Sequence, residues 1–271
     1  MAAAKKRPSA ITKLSETPNE GKRNWLIYAP SGVGKTVLAG TAPKALFLTV
    51  EAAGTESAKA LGSQADEWVC DSWAELQNAY TWLKEGGYSE YEWVILDSIS
   101  EMQELCWKDQ LEGANSSNSS RSLFQPAIQD YPVVDNKIKR LVDSFNRMPI
   151  NVLYTAQQMA LDTEDSDGDD IIMVLPLVGR SKGGAPLSNL ICGKVTLIGL
   201  LTIKQDDEDE VRRLWVHGGE RWIAKDRHDT FGKYIEDPNI VSMSAAVDKR
   251  LLKPGVAGSP KKATTTRKKA D

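Results

Sequence analysis

Cysteine and histidine are scarce in this chain, three and two respectively in 271 residues. Cys70, Cys106 and Cys192 stand far apart without CxxC spacing, which argues against a zinc site or a disulfide framework. A reducing, cytoplasmic setting is the expectation. Long apolar runs are missing too. The longest, Val195–Ile203, spans nine residues and includes a glycine and two threonines, well short of the ~18 that a membrane span needs. The opening MAAAKKRPSA has no apolar stretch after its basic residues, so no secretory signal and no membrane partner are expected.

What is present suits an ordinary packed core: 41% hydrophobic residues, 26% charged and eight tryptophans. The length allows one large domain or two small ones. A net charge of −3 hides a division. Residues 1–24 carry six basic and two acidic side chains, and residues 253–271 carry six and one, which leaves −12 on residues 25–252. Three segments follow: a flexible basic leader (1–24), a folded acidic body (25–252) and a disordered basic tail (253–271). The basic ends either touch phosphate backbones or simply solubilise the chain.

Within the body, short apolar runs alternate with helical patterns. Strands are expected at Trp25–Tyr28, Ala45–Val50, Trp93–Leu96, Asn151–Thr155 and Lys194–Leu201, and helices near 35–41, 55–62, 72–85, 98–111 and 132–147. That order predicts an α/β fold with a mostly parallel central sheet flanked by helices. Arg212–His217 and Glu220–Lys225 read as a hairpin around Gly218-Gly219. Glu112–Asp130 and Met159–Asn189, the latter containing TEDSDGDD, read as long irregular segments.

The sharpest motif is Ala29-Pro30-Ser31-Gly32-Val33-Gly34-Lys35-Thr36, which follows an apolar strand and opens a helix. Gly32 and Gly34 let the backbone curl so that successive N–H groups converge on phosphate oxygens. Lys35 is placed to reach the β- and γ-phosphates, Thr36 to offer a hydroxyl to Mg²⁺, and the helix entry through Val37 to add its dipole. ATP and Mg²⁺ are the cofactors expected. Asp97, ending the apolar strand Trp93–Leu96, is the expected second holder of the metal. The strict pattern has Gly where this chain has Ala29, a substitution seen in helicase-like members.

Beyond the P-loop, the chain resembles the RecA-like ATPases, and in particular the phage-encoded Sak-type single-strand annealing proteins and phage AAA-domain proteins. ALFLTVEAAG, residues 45–54, resembles the RecA second strand, which implies that Glu51 activates the attacking water; the alternative is a plain solvated carboxylate. LDSISEM and the segment after Glu112 resemble the approach to a first DNA-contacting loop. NVLYTAQ resembles the strand ending in a γ-phosphate-sensing glutamine, here Gln157. The segment with Arg180, Lys182, Gly183 and Gly184 matches a second DNA-contacting loop, and IAKDR matches the Lys-x-Arg element inserted into a neighbouring subunit's active site. The resemblance thus implies catalytic roles for Lys225 and Arg227, DNA contacts at Arg121, Phe124, Arg180 and Lys182, and a homo-oligomer, ring or filament, with sites between subunits. On their own residues, Lys225 and Arg227 equally fit an exposed basic strand edge paired with Asp226 and Asp229, and Phe124 fits a loop anchor.

The reading that follows is a phage RecA-like ATPase, acting in the host cytoplasm, that binds single-stranded DNA and promotes annealing or recombination. A second is an ATP-dependent loader-type switch acting on a replication or single-strand-binding protein, favoured by the acidic TEDSDGDD. A third, a small-molecule kinase, needs a lid and an acceptor-binding site, and a Lys-x-Arg strand at the far end is not its usual signature.

Overall fold

The computed structural model describes residues 21–51, 53–179, 186–206 and 209–252. It is an α/β fold whose central sheet is mostly parallel and flanked by helices. The first half lays down β1 (Asn24–Ala29), α1 (Lys35–Ala39), β2 (Ala45–Thr49), α2 (Glu56–Ala60), β3 (Asp66–Val69), α3 (Trp73–Lys84), β4 (Trp93–Asp97) and α4 (Ile99–Ser117). The second half adds α5 (Asp130–Arg147), β5 (Asn151–Glu164), β6 (Asp170–Pro176), α6 (Pro186–Lys194), β7 (Leu197–Asp206), β8 (Asp209–Trp215), β9 (Lys225–Asp226), β10 (Tyr234–Glu236) and α7 (Ile240–Leu251). The strand order is β10-β8-β7-β1-β5-β4-β2-β3. From β7 to β3 the pairs are parallel, and β8 turns antiparallel against β7.

Strands covered on both faces read as unbroken apolar runs. Trp25 through Ala29 and Val94 through Leu96 are fully buried. Alternation then divides them between two cores. Leu26, Tyr28, Leu48 and Leu96 face α3, α4, α5 and α6, whereas Trp25, Ile27, Phe47 and Trp93 face α1 and α7. Helix entries are capped as their sequences suggest: Ser72 Oγ accepts from Glu75 N (3.2 Å), Ser98 Oγ from Glu101 N (3.3 Å) and Asn239 Oδ1 from Val241 N (2.9 Å).

Two expectations about the chain path need correcting. The described residues of Met159–Asn189 are largely regular. β5 runs fourteen residues, leaves the main sheet after Gln157 and pairs antiparallel with β6 as a projecting arm. The acidic run forms its tip, where Asp165 Oδ1 accepts from Asp167 N and Asp169 N, and Gly168 supplies the left-handed φ of 87°. The expected hairpin around Gly218-Gly219 is also replaced. β8 pairs with β7, which reaches Asp206, and near the glycines only a Gly219–Trp222 bridge forms. Pairing with β7 buries Leu214 beside Leu201 in the core.

Smaller differences follow the same physics. Glu112–Ser117 extends α4, so the irregular stretch there shrinks to 118–129. Arg23 and Asn24, placed in the leader by composition, belong to the fold: Arg23 is buried and paired with Asp248, and Asn24 opens β1. Residues 1–20 of the leader, the tail 253–271, and Arg180, Lys182, Gly183 and Gly184 lie outside the described residues. Among the described residues no helix is long and apolar enough to cross a membrane.

Candidate active site

The carboxyl ends of β1, β2, β4 and β5 meet at one edge of the sheet, where open α/β sheets bind ligands. The P-loop leaves β1 there. Gly32 and Gly34 take φ of 83° and 102°, the left-handed conformation that their positions require, and Gly34 is the N-cap of α1. Lys35 Nζ folds back to donate to Ala29 O (3.0 Å) and Pro30 O (2.9 Å). Burial lowers its pKa, opposed by the charge of Asp97.

Asp97 is the electrostatic centre. Thr36 Oγ1 donates to its Oδ2 at 2.7 Å, and Thr155 Oγ1 donates to its Oδ1. Burial pushes the carboxyl above its ordinary range, and the two hydroxyls and the Lys35 ammonium only partly offset that. A half-buried carboxylate with hydroxyls beside it is a hard oxygen donor set that a cation such as Mg²⁺ fits. Among the described residues no cluster of three or more His, Cys, Asp or Glu side chains forms a metal cage. Mg²⁺ in phosphate sites is held in just this sparing way, by one or two carboxylates plus waters and phosphates.

Ser31, Lys35, Thr36, Glu51, Asp97 and Gln157, far apart in the chain, line one cavity of about 220 Å³. Glu51 is exposed at the turn after β2, held by Gly54 N donating to its carbonyl (3.0 Å). Gln157 stands beside Ala29 in register, its N–H donating to Ser100 Oγ (3.0 Å) and its Nε2 to Glu101 Oε1 (3.1 Å). Glu101 also lines the cavity, and the sequence reading missed it. Its signal was Ser98-Ile99-Ser100-Glu101, a capping-box spacing that pins the glutamate to the first turn after Asp97.

A family model described as an AAA domain matches residues 22–228. The chain belongs to that family. Family membership carries P-loop nucleotide use with it. Among curated proteins none matches. Solved structures similar to the chain include the RadB recombinase, 14% identical over 71% of this chain and 80% of that one, with a TM-score of 0.40. A KaiC-like protein from Pyrococcus horikoshii is 12% identical over 71% and 77%, TM-score 0.35. The flagellar accessory protein FlaH from Methanocaldococcus jannaschii is 10% identical over 80% and 87%, TM-score 0.38.

The remaining predicted residues of this AAA-domain chain sit elsewhere. Lys225 and Arg227 lie by the start of β7, at the opposite edge of the sheet from Lys35. Lys225 Nζ donates to Cys192 O (2.6 Å) and Arg227 to Gly193 O (3.3 Å), so both cations cap the end of α6. Asp226 does not pair with them; its carboxylate accepts from the N–H groups of His228, Thr230 and Phe231. Arg121 is ion-paired with the buried Asp130. Phe124 is 89% exposed and therefore anchors nothing, contrary to the alternative reading. With Trp107 and Tyr131, it borders a cavity of about 300 Å³ that reaches Gly179. The expected second DNA-contacting loop, the long segment after Gln157, is instead built into the β5–β6 arm over its described part.

Proposed function

We propose that this AAA-domain protein is a Mg²⁺-dependent RecA-like ATPase of phage type that binds single-stranded DNA and promotes annealing or recombination. The observation that carries the nucleotide half is the convergence of Lys35, Thr36, Asp97, Glu51 and Gln157 on one cavity. There Lys35 would neutralise phosphate charge, and Thr36 and Asp97 would hold the metal, which when bound shields the phosphate oxygens. Glu51 orients and deprotonates the attacking water, and Gln157 reports the terminal phosphate. Positioning and electrostatics supply the rate. Since Lys225 and Arg227 stand at the far edge of their own sheet, they serve a neighbouring copy's nucleotide, in a ring or filament with sites between subunits.

The DNA half rests on Phe124, an exposed aromatic beside Trp107 and Tyr131, which suits stacking on an unpaired base. Binding of a labelled oligonucleotide tests it. Phe124→Ala lowers affinity about tenfold on the ~1–3 kcal/mol that a base–aromatic stack contributes, whereas unchanged binding removes Phe124 from the interface. A second reading, a switch acting on a replication protein, is favoured by the acidic β5–β6 tip, which would repel a DNA backbone. It predicts little oligonucleotide binding, unchanged by Phe124→Ala.

A further inference from the structure

The β7–β8 hairpin brings to the P-loop a cation that the reading above leaves unused. β7 pairs with β1 only as far as Leu200 opposite Tyr28, then continues to Asp206, so the hairpin overhangs the phosphate loop. Leu201 and Leu214, a cross-strand pair, are buried with Leu38 and Ala39 of α1. Two residues further out on the same face come Ile203 and its partner Arg212. Arg212 Nε donates to Val33 O at 3.2 Å, and a Cβ on Gly34 would lie 2.7 Å from that nitrogen. Arg212 is otherwise exposed, and Ile203 is 41% exposed.

We propose that Arg212 and Ile203 form the subsite for the nucleoside end of the nucleotide. This rests on the P-loop reading. Apart from Lys35 and Thr36 of α1, the groups assigned to the attacking water, the metal and the terminal phosphate (Glu51, Asp97 and Gln157) follow or lie on β2, β4 and β5, and all three strands lie on one side of β1. β7 and β8 lie on the other side. A phosphate chain whose far end faces Asp97 runs across Gly34, and its base emerges beneath the overhang. A planar guanidinium beside an apolar side chain is a surface on which a heteroaromatic ring stacks. The hydrogen bond to Val33 O holds the guanidinium over the loop, where a base stacks on it.

Calorimetric titration of the full chain with MgATP and, separately, with magnesium tripolyphosphate tests the assignment. Arg212→Ala and Ile203→Ser each weaken ATP about tenfold and leave tripolyphosphate within twofold. Arg212→Lys, which keeps the charge and loses the plane, stays close to Arg212→Ala. Equal weakening of both ligands, or rescue by lysine, overturns the proposal by making Arg212 a phosphate ligand or a support of the loop. Unchanged ATP affinity in both variants overturns it as well. Wild-type protein that binds neither ligand defeats the nucleotide reading itself, a result distinct from all of these.

Discussion

Asp97, half-buried just before α4, and Asp130, buried at the start of α5, are both carboxylates in low-dielectric surroundings, yet the protein treats them oppositely. At the head of α5, Asp130 accepts from the Arg121 guanidinium, Ala127 N and Gln110 Nε2. Burial raises its pKa, but those donors outweigh it and leave the carboxyl below its ordinary range. Asp97, at the end of β4, has hydroxyls for partners and Lys35 nearby but unpaired with it, and burial prevails. One carboxylate is paired with a guanidinium and the other is held by two hydroxyls. The first organises the turn between α4 and α5; on the proposed reading, the second is the one that takes the metal.

The largest effect should come from Asp97→Asn. Hydrolysis of ATP falls at least 10²-fold, by the ~3 kcal/mol or more that a transition-state electrostatic contact supplies, while the melting temperature rises. The pH dependence separates the two effects. A carboxyl whose folded pKa is raised keeps its proton longer in the folded chain than in the unfolded one. Wild-type stability therefore declines as pH climbs from the ordinary value of 3.8 through the raised one. The variant has no such decline, so its advantage in a thermal melt grows with pH. A variant less stable than wild type at neutral pH would break the comparison.

Arg121→Ala should come next, at about 3 kcal/mol of lost stability in urea, since it strands a buried carboxylate. The sign reverses here. Asp130 is depressed, so its contribution is present above 3.8 and disappears as pH falls through the folded value. The variant should accordingly show a shallower acid limb. Lys225→Ala removes a helix cap and should remove ~1 kcal/mol. Arg227→Ala, at an exposed position, should alter stability less still, by ~0.5 kcal/mol, and its informative readout is mixing. Arg227→Ala and Lys35→Ala chains, each inactive alone, should recover hydrolysis together if the arginine serves a neighbour. No recovery would confine Arg227 to the end of α6.

Much of this was legible from local pattern. Buried parallel strands such as Trp25–Ala29 and Trp93–Leu96 are apolar without interruption, and the P-loop carries its own backbone requirements in Gly32 and Gly34. What stayed hidden depended on tertiary partners. The β5–β6 arm has a period-two pattern in Ile171, Met173 and Leu175, but the acidic tip between its strands reads as a break. β8 pairs with β7 rather than with the segment after Gly219, which places Leu214 beside Leu201 in the core, a tertiary partner that local turn chemistry does not report. Arg212 reaches Val33 across 179 residues, a contact no spacing rule reports.

On the proposed reading, the edge holding Lys35, Thr36, Asp97 and Glu51 hydrolyses ATP under the control of single-stranded DNA. The most direct test of that reading is the hydrolysis rate of the purified full chain, with and without a single-stranded oligonucleotide, beside Lys35→Ala. The account predicts hydrolysis that rises with DNA and vanishes in the variant. Hydrolysis indifferent to DNA would contradict it in favour of a partner-controlled switch, and hydrolysis surviving in the variant would place the chemistry elsewhere.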